Sequence, residues 1–205
     1  MSPKASSVRF VEDTVIKSFD EADLFFRELA VYNANLPMTP KLLSHRETRE
    51  LVLERIDGIP YLDIPQGFDP IRLAQRIAAF HRHSLKGESC LCHIDNQPKN
   101  ILWDHADFFL IDFSDSRIEA PEYDLSHLML FWADSFAPQR LQNLAELFLN
   151  EYRKLIPPDP IRWQRCLAEN ILRFDQRRAL FNKKPAILPA NQIKQNRLIL
   201  SSLIV

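Results

Sequence analysis

Residues 93–115, HIDNQPKNILWDHADFFLIDFSD, gather the side chains that hold a hard cation and move a proton. Ile101-Leu102-Trp103 and Phe108-Phe109-Leu110-Ile111 are two β-rich runs around an Asp104-His105-Ala106-Asp107 turn, hence a hairpin. Pairing Trp103 with Phe108 sets Ile101 opposite Leu110 and leaves Asn100 beside Asp112 at the open end. An amide oxygen next to a carboxylate suits a hard cation such as Mg²⁺, with Mn²⁺ as the alternative ion. Asp95 lies five residues before Asn100, on an irregular loop containing Pro98, and can face the same point. A carboxylate that the metal does not need is what an attacking hydroxyl requires for orientation and proton removal.

These residues need a scaffold, and the rest of the chain supplies one. Residues 8–18 read as a hairpin around a Glu12-Asp13 turn. The spacing of Leu24, Phe25, Glu28, Leu29 and Tyr32 predicts a helix over 21–35, capped by Asp20 and ended by Pro37 and Pro40. Residues 50–56 form a strand, followed by an Asp57-Gly58-Ile59-Pro60 turn. Asp69-Pro70 opens a second helix, with Ile71, Ala74, Ile77, Ala78 and His81 on one face. A short strand and loop occupy 90–100. Helical periodicity then covers 124–136, 138–155, 159–182 and 190–203, with breaks at Pro157-Pro158 and at Pro185 and Pro189. Strands lead and helices follow, which is the pattern of an α+β fold.

In this setting His93-x-Asp95-x-x-x-x-Asn100, followed by Ile111-Asp112-Phe113, resembles the catalytic loop and metal-binding motif of the protein-kinase-like superfamily. The string is most similar to that of the aminoglycoside and choline phosphotransferases, and Tyr123-Asp124-Leu125 resembles the run that ends their short activation segment. Upstream, Lys17 resembles the phosphate-binding lysine and Glu28 its ion-pair partner, with Glu21 as a fallback. Leu51 to Ile56 with Gly58 resembles the hinge, and Ala79-Phe80-His81 the end of the helix before the catalytic loop. The resemblance covers about residues 8–135 and implies a two-lobed fold: a reduced nucleotide-binding β lobe at 1–57 and a helical lobe at 58–205.

It also implies roles. Asp95 would orient and deprotonate an acceptor hydroxyl. Asn100 and Asp112 would hold Mg²⁺ on the phosphates of ATP, and Lys17, held by Glu28, would contact the α- and β-phosphates. Backbone groups from Glu54 to Ile56 would receive adenine. His93 would pack behind Asp112. Asp124 would accept backbone N–H groups of the catalytic loop, or else cap the helix it opens. The implied activity is transfer of the γ-phosphate of ATP to a hydroxyl of a small molecule. Two other readings stand beside it: an atypical Ser/Thr protein kinase or ATPase working with a protein partner, and a scaffold without turnover.

Composition narrows the field. The 205 residues hold only three glycines, Gly58, Gly67 and Gly87, so no Gly-rich phosphate loop can be built. Only sixteen residues precede Lys17, and Ser114 stands at the third position of the Asp-Phe-Gly motif. Net charge is −1, which predicts no polyanion partner from bulk charge. Yet Arg173, Arg177, Arg178, Lys183, Lys184, Lys194 and Arg197 face only Asp175 between 173 and 197. The plainer reading is a solvated helix surface; the functional one is a wall for an anionic acceptor, with nucleic acid a weaker candidate. Trp163, Phe174 and Phe181 are spaced for a helical core. The group His81, His83, Cys90, Cys92 and His93 invites a zinc reading, but Cys90-x-Cys92 lacks the usual two-to-four residue spacer, and buried thiols are ordinary core residues. Three cysteines, no N-terminal apolar run and no run long enough to span a bilayer predict a cytoplasmic protein.

Overall fold

The computed structural model describes residues 6–47, 49–180 and 188–203. Its elements, in chain order, are strands β1 (Ser6–Val11) and β2 (Thr14–Phe19), helix α1 (Ala22–Asn33), strands β3 (Leu42–Arg46), β4 (Glu50–Glu54) and β5 (Ile59–Pro60), helix α2 (Pro70–Ser84), strands β6 (Cys90–Cys92), β7 (Ile101–Trp103), β8 (Phe108–Leu110) and β9 (Arg117–Glu119), then helices α3 (Pro121–Ser135), α4 (Pro138–Tyr152), α5 (Pro160–Leu180) and α6 (Ala190–Ser202). A four-stranded antiparallel sheet, ordered β1-β2-β4-β3, opens the fold. The small sheets β5-β7-β8 and β6-β9 follow, and helices complete it. This is the expected α+β arrangement.

The β1–β2 turn places Glu12 at a positive φ of 48°. Asp13 O accepts the Arg55 N–H at 3.0 Å, so this turn lies at the hinge end of the sheet. Lys17 pairs across β4 with Leu51, three residues further along β2. Helix α1 packs Phe25, Val31 and Tyr32 against the sheet residues Phe19, Leu51 and Leu53. Its N-cap is Glu21, with no side-chain cap bond, so the capping role expected of Asp20 is not realised. The Asp20 carbonyl instead accepts from Arg49 at 2.7 Å.

In α2 the cap forms as the sequence indicates: the Asp69 carboxylate accepts from the N–H groups of Ile71 and Arg72. Its buried face is Leu73, Ala74, Ile77, Ala78, Phe80 and His81, whereas Ile71 is exposed because it sits in the first turn, outside the stripe. Gly58 is required by space. A Cβ there would stand 2.9 Å from the Trp103 carbonyl oxygen.

Helix α3 begins at Pro121, three residues before the expected start, with Ala120 at its N-cap; Asp124 is therefore inside the helix and does not cap it. It is buried on nearly every side, the mark of a central helix. Polar clasps fix its neighbours. Asn170 of α5 donates to Tyr123 O at 2.8 Å and to Ser126 Oγ at 2.9 Å, and Arg162 pairs with Glu122. Asn196 of α6 donates to Ala133 O at 2.7 Å and Phe136 O at 2.8 Å, and Trp132 donates to the Tyr61 hydroxyl at 2.8 Å. The start of α5 matches expectation; the predicted end at 182, Phe181, Lys183, Lys184 and the Pro185 break lie outside the described residues. Trp163 and Phe174 are buried. No helix among the described residues is long and apolar enough to cross a membrane.

Candidate active site

The hairpin forms in the expected register, with Ile101 opposite Leu110 and Trp103 opposite Phe108. One further bond, Ile111 N–H to Asn100 O at 3.0 Å, zips its open end and sets Asn100 and Asp112 on adjacent backbones. Asp112 adopts a left-handed φ of 67°, an uncommon conformation for a residue other than glycine. Its carboxylate meets the Lys17 ammonium at 2.7 Å, and on its other side that ammonium is paired with Glu28. Lys17 is 6% exposed and Glu28 not at all. Strand β2, helix α1 and the loop after β8 thus converge on one cluster of charges, and Glu28 rather than Glu21 is the partner.

Ser114 ties this cluster together. Its hydroxyl lies 2.8 Å from Glu28 Oε1 and 2.6 Å from Asp112 Oδ1, and Lys17 approaches it at 3.4 Å. A serine at the third position of the Asp-Phe-Gly motif thus makes hydrogen bonds that a glycine could not. Arg27 of α1 donates to the Ser114 carbonyl, closing the loop from the other side. Burial opposes ionisation of Asp112, but the Lys17 charge and the bonds from Lys17 and Ser114 outweigh it and bring the carboxyl down to about 2. For Glu28, burial prevails over Lys17, and its pKa is raised.

The catalytic-loop motif is held from behind. Ile94 has a φ of 69°, severe for a β-branched residue. The Asp124 carboxylate takes the His93 N–H at 2.7 Å and the Ile94 N–H at 2.8 Å, and it bonds the His81 ring at 3.1 Å. Burial works against the Asp124 charge, yet these donors and the His81 charge keep its pKa low. His93 Nε2 donates to the Ile111 carbonyl at 2.9 Å, and its ring packs 4.8 Å from Phe113, behind Asp112.

Asp95 is less accessible than its sequence suggests. Oδ2 accepts from Gln97 at 2.7 Å and from Asn100 Nδ2 at 3.3 Å, while Oδ1 is paired with Arg177 of α5 at 2.9 Å. Asn100 Nδ2 also donates to the Asp95 carbonyl at 2.8 Å, so the amide uses its nitrogen and not its Oδ1 in these bonds. At the hinge, Glu54 N–H donates to Lys41 O at 2.9 Å and Arg55 N–H to Asp13 O. The Ile56 N–H has no backbone partner among the described residues. Arg177 belongs to the basic stretch seen in the sequence, but its grip on Asp95 had no signal there, because nothing local ties α5 to a loop 82 residues away; Gln97 carried no signal of its own.

The arginines of the basic stretch are paired, while Lys183 and Lys184 lie outside the described residues. Arg173 pairs with Asp115 at 3.0 Å, Arg178 with Asp134 at 2.7 Å and Arg197 with Asp175. Of the thiol–histidine group, His81, Cys90 and Cys92 come together within 4.8 Å, but both ring nitrogens of His81 are already taken, by Tyr152 and Asp124.

The phosphotransferase enzyme family model matches residues 8–157. No curated protein matches the chain. Among solved structures, choline kinase LicA from Streptococcus pneumoniae is similar over 97% of this chain and 90% of its own, at 16% identity and a TM-score of 0.60. The ADP-bound aminoglycoside phosphotransferase APH(2'')-Ib is similar over 98% and 90%, at 14% identity and a TM-score of 0.59. Amicoumacin kinase hAmiN, in complex with AMP-PNP, Ca²⁺ and its ligand, is similar over 98% and 89%, at 10% identity and a TM-score of 0.61. The protein-kinase-like fold is therefore shared, and the family match, which spans most of the chain, makes this protein a member of the phosphotransferase enzyme family.

Proposed function

We propose that the protein transfers the γ-phosphate of ATP to a hydroxyl of a small molecule. The observation that carries this is the convergence of Lys17, Glu28 and Asp112 beside the Asp95–Asn100 loop. The set suits a metal–phosphate group. Asp112 is ionised at neutral pH, its side chain is 44% exposed, and Asn100 contributes an oxygen. Similar folds bind ADP and AMP-PNP, which supports the choice of nucleotide. Asn100 and Asp112 would hold Mg²⁺, or Mn²⁺, which when bound neutralises charge on the phosphates. Lys17 would leave Asp112 for the α- and β-phosphates while Glu28 keeps its place. The Ile56 N–H and neighbouring carbonyls would receive adenine, and Asp95 would align the acceptor hydroxyl and take its proton. His93 and Asp124 would hold the loop in shape. In this reading the chain divides near residue 57 into a nucleotide-binding β lobe and a helical acceptor lobe, and it works in the cytoplasm.

Phosphoryl transfer depends mainly on positioning and charge, so the lack of a glycine-rich loop weakens the site without removing its chemistry. The test is release of ADP from ATP across a panel of hydroxyl compounds. Asp95→Asn should lower turnover by ~10²–10⁴, the usual contribution of a positioned base, with nucleotide affinity nearly unchanged. Equal turnover in the variant would remove the assignment of Asp95.

A further inference from the structure

The Arg177–Asp95 pair is incompatible with the reaction just proposed. Oδ2 of Asp95 is filled by Gln97 and Asn100, so Oδ1 is the oxygen left for the acceptor, and Arg177 occupies it at 2.9 Å. If Arg177 withdrew alone, its remaining carboxylate would be Asp115 at 3.8 Å, too far for a good hydrogen bond. An anion arriving with the hydroxyl would give Arg177 a better partner than Asp115 does.

The surroundings favour such a ligand. A cleft of about 350 Å³ opens from Asp95 between the catalytic loop, α3 and α5. Phe131 and Phe174, 5.0 Å apart and edge to face, form an apolar wall, and Arg178 lies 5.1 Å over Phe174. His127 also lines the cleft. Burial, against an opposing pull from Asp124 and with help from Arg173 and Arg177, brings its pKa down to about 3, so it adds no charge at neutral pH. Among the described residues, Asp95 is the one carboxylate lining the cleft, against Arg177 and Arg178. Arg178 is already paired with Asp134 at 2.7 Å, and an ammonium acceptor would offer Arg177 no replacement for Asp95, only a like charge.

We infer that the acceptor is a hydroxyl compound bearing a phosphate or carboxylate, and that this anion takes Arg177 from Asp95 and thereby frees the base. The inference rests on the phosphotransferase reading of Asp95. Selectivity for charge is then built into activation: a neutral or cationic molecule leaves Oδ1 blocked.

Four matched probes test this by calorimetry with the full chain: glucose, glucosamine, glucuronate and glucose 6-phosphate, each without nucleotide. Wild type should bind the anionic pair at least ~10-fold more tightly than the other two, the scale of one charge-assisted hydrogen bond. The stronger of the two anions tells phosphate from carboxylate. Arg177→Gln should abolish the preference, Arg177→Lys should retain part of it, and Mg·ATP affinity should stay within about twofold in both. The inference is overturned if glucose or glucosamine binds as tightly as the anions, if neither anion binds, or if Arg177→Gln weakens Mg·ATP while the preference survives. That last result would assign the arginine to the nucleotide. Failure of the phosphotransferase reading would show separately, as absence of Mg·ATP binding in wild type.

Discussion

Replacing Asp124 by alanine removes one buried carboxylate and strands three donors: the N–H groups of His93 and Ile94 and the ring of His81. Each unmet buried donor costs about 1–3 kcal/mol, so the three together cost ~3–9 kcal/mol. The left-handed Ile94 then relaxes, which returns ~1–3 kcal/mol of backbone strain. The midpoints leave a net loss of ~4 kcal/mol, which in a chain of this size corresponds to a fall in Tm of roughly 8–16 °C. Calorimetric melting of wild type, Asp124→Ala and Asp124→Asn measures it, the asparagine keeping one acceptor and losing about half as much. Amide exchange at His93 and Ile94 should accelerate in both variants. A Tm within ~2 °C of wild type for Asp124→Ala, with protected amides, would refute the view that this carboxylate holds the loop.

Lys17→Met leaves Glu28 buried without its counter-charge and should cost ~2–5 kcal/mol in melting experiments at neutral pH. Glu28 already has a raised pKa, so the native state holds its proton over a range where the unfolded chain does not; the deficit should therefore be smallest below the unfolded value of 4.5 and grow as pH rises through the folded pKa. Asp112 titrates in the opposite sense. Its folded pKa of about 2 lies below the model-compound value of 3.8, so its stabilisation is present above the latter, is lost as pH falls between the two, and should vanish from the acid limb of the stability curve in Asp112→Asn. Gly58→Ala should destabilise by ~1–3 kcal/mol in a denaturant melt, because its Cβ meets the backbone of Trp103.

Elements whose pattern is local were legible in the sequence. The β7–β8 register followed from a four-residue turn between β-rich runs, and the start of α2 from Asp69-Pro70. Strand β3 was not foreseen: it carries the polar run Ser44-His45-Arg46 and is mostly exposed, so no alternation marks it. Strand β9 is three residues long and exists by pairing with β6. Asp20 failed as a cap because the helix begins at Ala22, one residue later than the spacing suggests, which puts Glu21 at the N-cap. In the site, Lys17 meets both Glu28 and Asp112, Asp95 lies against Asn100, and Asp124 bonds the His93 N–H, contacts between residues that the motifs had singled out. The grip of Arg177 on Asp95 and the bonds of Ser114 were invisible, since both depend on how α5 and α1 pack against distant loops.

In the proposed function, Lys17, Asn100 and Asp112 form a site for metal-bound ATP despite the missing glycine loop. Calorimetric titration of the protein with ATP, with and without Mg²⁺, alongside Asp112→Ala, tests it most directly. Binding that requires Mg²⁺ and weakens at least ~10-fold in the variant is the predicted result. Absence of binding in wild type, or equal Mg²⁺-dependent binding in Asp112→Ala, would contradict the claim.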